Sequence, residues 1–195
     1  MRKQFDLLIE GPGIVFFDPY LLDDFVRTKQ VASPNLFPSF LDEPAIRKAV
    51  AQAGLLLPIY DIPPLDYQIV LNTSGSSVIR AEWMRFTTPP FSLTVGQQGR
   101  LVAADAYALT EWDATFYQEL GCDGPLAPQV ATAMKPGNYQ VRITGFAERN
   151  YSGRGPANIG YELLLTSVTE LPIQPEGLDT PEVDFVLWHP GQGGA

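Results

Sequence analysis

Two of the side chains with which proteins most often react are nearly missing from this 195-residue chain, which has one cysteine, Cys122, and one histidine, His189. A single cysteine excludes an internal disulfide and a cysteine-built zinc site. Cys122 also stands beside Asp123, whose charge raises a thiol pKa instead of activating the thiolate. A histidine-dependent nucleophile would have to use His189, between Trp188 and Pro190 near a glycine-rich end. Such a pair needs an imidazole held by a third group in a protected site. Cations are scarce too: 13 Lys and Arg against 22 Asp and Glu give a net charge of −9, which opposes nucleic-acid binding. No apolar run approaches the ~18 residues of a membrane span. Met1–Asp6 lacks the apolar core of a signal peptide, so the expectation is a soluble, cytoplasmic protein. Gly11-Pro12-Gly13 lacks the helix start and Lys-Ser/Thr pair of a phosphate loop, and Gly153-Arg154-Gly155 runs into Pro156 and reads as a turn.

Turn formers, by contrast, are plentiful. Seventeen Gly and 18 Pro exceed the usual combined share of roughly 12% and favour many short elements over a helical bundle. Phe5, Leu7 and Ile9 alternate with Asp6 and Glu10, then Gly11-Pro12-Gly13 leads into Ile14–Phe17, which reads as two strands joined by a tight turn. Asp18–Phe40 holds three prolines and reads as a long loop with at most one helical turn near Leu21–Arg27. One helix is predicted over Asp42–Ala53. Asp42 caps it, Leu41 staples onto Ile46, Ile46, Ala49, Val50 and Ala53 form its apolar stripe, and Gly54 closes it. The prolines of Leu55–Pro64 mark an edge segment.

From Asp66 the period is two, with strands expected at Tyr67–Leu71, Ser77–Phe86, Phe91–Val95 and Leu101–Ala103. Ala106–Leu109 reads as another strand and Glu111–Leu120 as a helix. Lys135-Pro136-Gly137-Asn138 has the type II turn pattern, and Tyr139–Ile143 and Tyr161–Val168 read as an antiparallel pair. Val183, Phe185 and Leu187 alternate as a last strand within a Pro/Gly-rich extension. The fold expected is mainly β (α+β): an antiparallel β-sandwich over residues 1–169 with one short helix at its edge. The extension covers 170–195, and its final five residues are expected to be disordered.

Carboxylates supply the candidate chemistry. Asp18, Asp23 and Asp24 lie close enough in sequence to offer Ca²⁺ ligands, although EF-hand spacing is absent. Glu82, Glu111 and Asp113 are the acids from which a glycosidase pair would be drawn. No cofactor is called for. The positive signal is charge distribution: between Arg100 and Lys135 there is no Lys or Arg, while Asp105, Glu111, Asp113, Glu119 and Asp123 all fall there. Trp112, Phe116 and Tyr117 are interleaved with them. Acids with aromatics suit a basic protein partner, because charge steers the encounter and buried aromatics supply most of the affinity.

A leading strand at Phe5–Glu10, the run Lys135-Pro136-Gly137-Asn138-Tyr139-Gln140-Val141 and a closing strand near Tyr161–Val168 resemble the competence protein J-like family. The resemblance covers about half the chain. It implies a β-rich, non-enzymatic protein that restrains a nuclease or serves as an immunity protein beside a toxin; the family offers no catalytic residues to carry over. The expected function is therefore occlusion of a basic nuclease or toxin by Asp105, Glu111, Trp112, Asp113, Phe116, Tyr117, Glu119 and Asp123. The competing readings are a sandwich module that binds carbohydrate or peptide, a hydrolase using acidic residues, and a structural subunit.

Overall fold

The computed structural model describes residues 1–120, 128–148, 158–172 and 183–187, apart from the Leu41 side chain. Cys122, Asp123, Gly153–Gly155, His189 and the last five residues lie outside them, as does the proposed staple of Leu41. The chain is an α+β protein of mostly strands in two sheets. The first sheet has the order β1 (Arg2–Leu8), β4 (Asp66–Asn72), β10 (Ile159–Val168), β9 (Gly137–Ala147), β5 (Met84–Thr87), with β6 (Phe91–Val95) also on β9. The second runs β3 (Leu56–Tyr60), β2 (Gly13–Phe17), β7 (Arg100–Asp105), β8 (Gln129–Ala133). Pairing is antiparallel except between β10 and β4, which run parallel, so the all-antiparallel expectation is corrected there. β9 and β10 are antiparallel neighbours, as their alternation predicts: they pair over ten residues from Ile159↔Ala147 to Val168↔Asn138.

Two apolar layers explain which residues alternate. One cluster takes Tyr67, Ile69, Val141, Ile143, Tyr161 and Leu163 from the first sheet, and Ile14, Phe16, Leu101 and Ala103 from the second. The other cluster takes Val15, Phe17, Val102 and Ala104 from the opposite face of the second sheet and packs them under helices. A strand covered on both faces has no polar side to show, which is why β2 is buried at all five positions.

The covering helices are the largest departure from the sequence reading. Among the described residues there are four α-helices, α1 (Pro19–Lys29), α2 (Phe37–Asp42), α3 (Pro44–Gln52) and α4 (Ala114–Glu119), where the sequence predicts one over Asp42–Ala53 and another within Glu111–Leu120. Proline misled the reading. Pro19, Pro38 and Pro44 occupy first-turn positions, where the missing N–H has no intrahelical acceptor and the fixed φ favours the helix. The supposed loop thus holds α1, whose Leu22 and Val26 bury one stripe. Asp42 ends α2 and does not cap α3; Glu43 holds the cap position without a side-chain bond. Of the predicted stripe, Val50 is buried, Ile46 packs against the helical layer and Ala53 is exposed. Gly54, at φ 63°, ends the helix in the left-handed region.

Phe5–Ile9 and Ile14–Phe17 are not a hairpin, for β1 pairs with β4 and β2 with β3 and β7 in the other sheet. Ser77–Phe86 is not one strand: a 3-10 turn at Ala81–Trp83 precedes the short β5. The chain must leave β4 and pass β10 and β9 to reach β5, so this stretch is a crossover. Ala106–Leu109 is a 3-10 helix and not a strand, because the Asp105 side chain accepts from Tyr107 N at 2.8 Å. Strand β8, unforeseen in the sequence, adds an edge beside β7. Gly137 has φ 146°, not the value near +80° of a type II turn, and already belongs to β9. Pro58 does lie in an edge strand, β3, as its lack of a donor requires. The segment 183–187 is no strand; Phe185 and Leu187 enter the core between the sheets without a ladder partner.

Candidate functional site

Strand β7 and the 15 residues after it carry the acid-rich stretch, and each residue proposed there has a definite place. Asp105 is buried (5% exposed) and acts as a bracket. One carboxylate oxygen accepts from Glu10 N at 2.7 Å and Gly11 N at 2.8 Å, the other from Tyr107 N. It thereby ties the β1–β2 connection to the end of β7, and it faces inward. Gly11 permits this, since a Cβ there would lie 3.1 Å from the Tyr107 ring and closer still to Asp105.

Trp112 and Tyr117 are inside as well, at 7% and 6% exposure. They stack at 5.5 Å and 20°, and both meet the Phe17 ring nearly edge-on, at 5.4 and 5.3 Å. These aromatics therefore hold the segment on the second sheet, which corrects their assignment as partner-facing anchors. The same helical spacing that sends Tyr117 inward turns its neighbour Phe116 outward, at 45% exposure. Tyr107, on the 3-10 turn, is exposed at 54% and supplies the second outward aromatic.

Asp113 is exposed, but it caps α4, accepting from Thr115 N at 3.0 Å and Phe116 N at 3.3 Å. Glu111 and Glu119 are exposed and have no ion pair with a described Lys or Arg. Arg100, the cation that borders the stretch on its N-terminal side, is occupied elsewhere: its Nε donates to the Tyr117 carbonyl at 3.0 Å, and its guanidinium also reaches the Leu120 carbonyl. A cation on the last carbonyls of a helix satisfies acceptors that the helix cannot. The negative charge of Glu111, Asp113 and Glu119 is thus left facing solvent. Tyr117 registers the field: its phenol is pushed up to about 12, first by burial, then by the charges of Asp113, Asp105 and Glu111.

The other candidates disperse. Both oxygens of Asp18 are used, one on Tyr20 N and Leu21 N of α1 and one on Gly96 N, so it caps a helix and anchors the β6–β7 turn. Asp23 pairs with Arg27 one turn on, at 3.1 Å, and Asp24 is exposed. Among the described residues no three His, Cys, Asp or Glu are gathered to hold a metal. Glu82 lies in the crossover that leads into β5 of the first sheet, whereas Glu111 and Asp113 border α4, whose Tyr117 packs on the second sheet. No helix among the described residues is long and apolar enough to cross a membrane.

One group escaped the sequence reading although a signal was present: an acid, Glu162, in the middle of the apolar run Tyr161–Leu165. It is fully buried and accepts from Asn72 Nδ2 at 2.8 Å, from Val78 N at 2.9 Å and from the Ser77 hydroxyl. The residues it binds open the crossover, so Glu162 pins that loop to the outer face of the first sheet.

No protein-family model matches the chain, and no curated protein does. Among solved structures it is similar to the crystal structure of ComJ, inhibitor of the DNA degrading activity of NucA, from Bacillus subtilis. That match has 14% identity and a TM-score of 0.46, over 85% of this chain and 96% of that one. It is also similar to the protein of crocagin biosynthetic gene J, with 16% identity and a TM-score of 0.45, over 86% of this chain and 98% of that one. The ComJ match meets the competence protein J-like resemblance stated from the sequence, and it is partial.

Proposed function

We propose that the chain is a non-enzymatic β-sandwich binding protein that neutralises a basic nuclease or toxin by covering its cationic surface. One observation carries the reading. In a single segment, Glu111, Asp113 and Glu119 stand unpaired by any described cation while Phe116 and Tyr107 project beside them, and the bordering Arg100 is committed to helix carbonyls. Exposed acids of this kind raise the on-rate for a basic partner and give register, whereas two projecting rings supply area that becomes buried on contact. Trp112, Tyr117 and Asp105 act in this scheme from behind, as the rigid backing that presents α4. Asp123 remains part of the proposed acidic surface by sequence alone.

The test is coexpression with the cationic product of the neighbouring reading frame, followed by binding of the purified pair across a range of ionic strength. A stoichiometric complex that inhibits that product is expected. Its association rate should fall steeply with salt and fall further in Glu111→Lys/Glu119→Lys. Affinity indifferent both to salt and to this double variant would overturn the reading and favour ring stacking on a neutral ligand.

A further inference from the structure

Residues 183–187 lie in the core without belonging to either sheet. Phe185 and Leu187 are 6% and 8% exposed, and Val183 packs against the same cluster, yet no residue here pairs with a strand. The main chain is held to the body by one bond among those seen: Tyr161 Oη donates to the Phe185 carbonyl at 2.7 Å. The Val186 N–H turns to its own segment and donates to Asp184 Oδ1 at 2.9 Å. Everything else is side chain in socket. The Phe185 ring meets Phe86 edge-on at 5.8 Å and Tyr161 at 6.5 Å, and Tyr161 in turn leans on Tyr67 at 5.4 Å. Leu187 fills the space over Gly145, where a Cβ would come within 2.6 Å of its Cδ2. Gly145 thus forms the floor of a socket walled by Phe86 and filled by Leu187.

We infer that Tyr67, Phe86, Gly145 and Tyr161 form a peptide-binding groove, which the chain fills with its own residues 183–187. The ligand class follows from the occupant: an extended segment carrying an aromatic residue and, two positions later, a branched aliphatic one. The carbonyl of the aromatic residue is read by the Tyr161 hydroxyl. A period of two places both side chains on one side of an extended peptide and turns the residues flanking them the other way: Asp184 is exposed and Val186 is half-buried. Strands β9 and β10 hold each other by a ten-residue ladder. Residues 183–187, held among the described residues by the side chains of Val183, Phe185 and Leu187 and by one carbonyl, form a strap that can therefore leave while they stay. A segment of a second polypeptide with the same pattern would compete for the groove. This inference does not depend on the acidic surface, which lies on the helical layer.

The experiment uses the full-length chain and a fluorescein-labelled peptide of residues 182–188. In Phe185→Ala/Leu187→Ala the strap loses its hold, and the peptide is expected to bind this variant at least about tenfold more tightly than the wild type. A peptide with alanine at both positions should not bind. Adding Tyr161→Phe keeps the ring, removes the carbonyl anchor and should weaken binding about fivefold. Equal binding to wild type and variant, or no binding to a folded variant, overturns the proposal. Hydrogen exchange on the wild type decides the case independently of how the variant folds. Amides of Phe185 and Leu187 that open while those of β9 and β10 stay protected support it, and exchange of all of them only on global unfolding overturns it.

Discussion

Asn72 Nδ2 donates to Glu162 Oε1 at 2.8 Å across neighbouring parallel strands, with both side chains fully buried. The same carboxyl group also accepts from Val78 N and the Ser77 hydroxyl, so all three of these donors are uncharged groups. The order of the sheet calls for such a device. The chain crosses β10 and β9 between β4 and β5, and a crossover with few apolar side chains needs a polar attachment.

Removing that attachment is costly because the buried Asn72 amide and the partly buried Ser77 hydroxyl and Val78 N–H lose their acceptor together. Glu162→Ala should lower unfolding free energy by about 3–5 kcal/mol, and Glu162→Gln, which sets an amide N–H against donors, by about 1–3 kcal/mol. Denaturant titration gives the size. Hydrogen exchange should show the Val78 amide losing protection in both variants, and an unchanged Val78 would refute the pinning role.

Asp105 and Asp18 are expected to behave as structural acids. Asp105→Ala leaves the N–H groups of Glu10, Gly11 and Tyr107 unpaired and should cost about 2–4 kcal/mol. Asp18→Ala removes a helix cap as well as the Gly96 contact and should cost about 1–3 kcal/mol. Thermal unfolding of both variants, with and without Ca²⁺, checks this. A Ca²⁺-dependent rise in the wild-type transition that is lost in Asp18→Ala would contradict the assignment.

Neighbouring aromatics of α4 should separate cleanly into stability and binding. Phe116→Ala is expected to change stability by less than about 1 kcal/mol and to weaken partner binding by about 2 kcal/mol or more. Tyr117→Ala, which opens a void beside Phe17 and Trp112, should cost about 3–5 kcal/mol of stability. Denaturation curves and binding isotherms on the same preparations decide it.

Alkaline pH should loosen the same region. Tyr117 holds its proton more tightly folded than unfolded, with its pKa raised to about 12 from the ordinary 10. Below pH 10 both states are protonated and its contribution is complete. As pH rises from 10 through about 12 the unfolded state ionises first, and stability falls by on the order of 2 kcal/mol. Tyr117→Phe should flatten that part of the stability profile, which denaturation at a series of pH values would record.

Much of the fold was legible in local pattern. Alternation at Tyr139–Val141–Ile143 and Tyr161–Leu163–Leu165 named the inward face of β9 and β10, and Pro58 announced an edge. The acid-only stretch likewise marked the segment that now presents Glu111, Asp113 and Glu119. Other features were misread for identifiable reasons. Prolines at 19, 38 and 44 look like breakers when counted and like helix starts when placed. Trp112 and Tyr117, set among acids, look like a surface until Phe17 arrives from a strand about a hundred residues earlier.

The sequence by itself therefore determined which side of β9 and β10 is apolar, that Pro58 belongs to an edge and where negative charge accumulates, because these depend on residues a few positions apart. It could not determine which strand neighbours which. Nor could it show that Asp18, Asp105 and Glu162 are buried while Glu111 and Glu119 are not. A carboxylate's fate depends on where its donors are, and those of Asp105 and Glu162 come mostly from residues 84 to 95 positions away. Only the folded chain brings those N–H groups into reach, and with them it divides the acids that hold the molecule together from those left to meet something else.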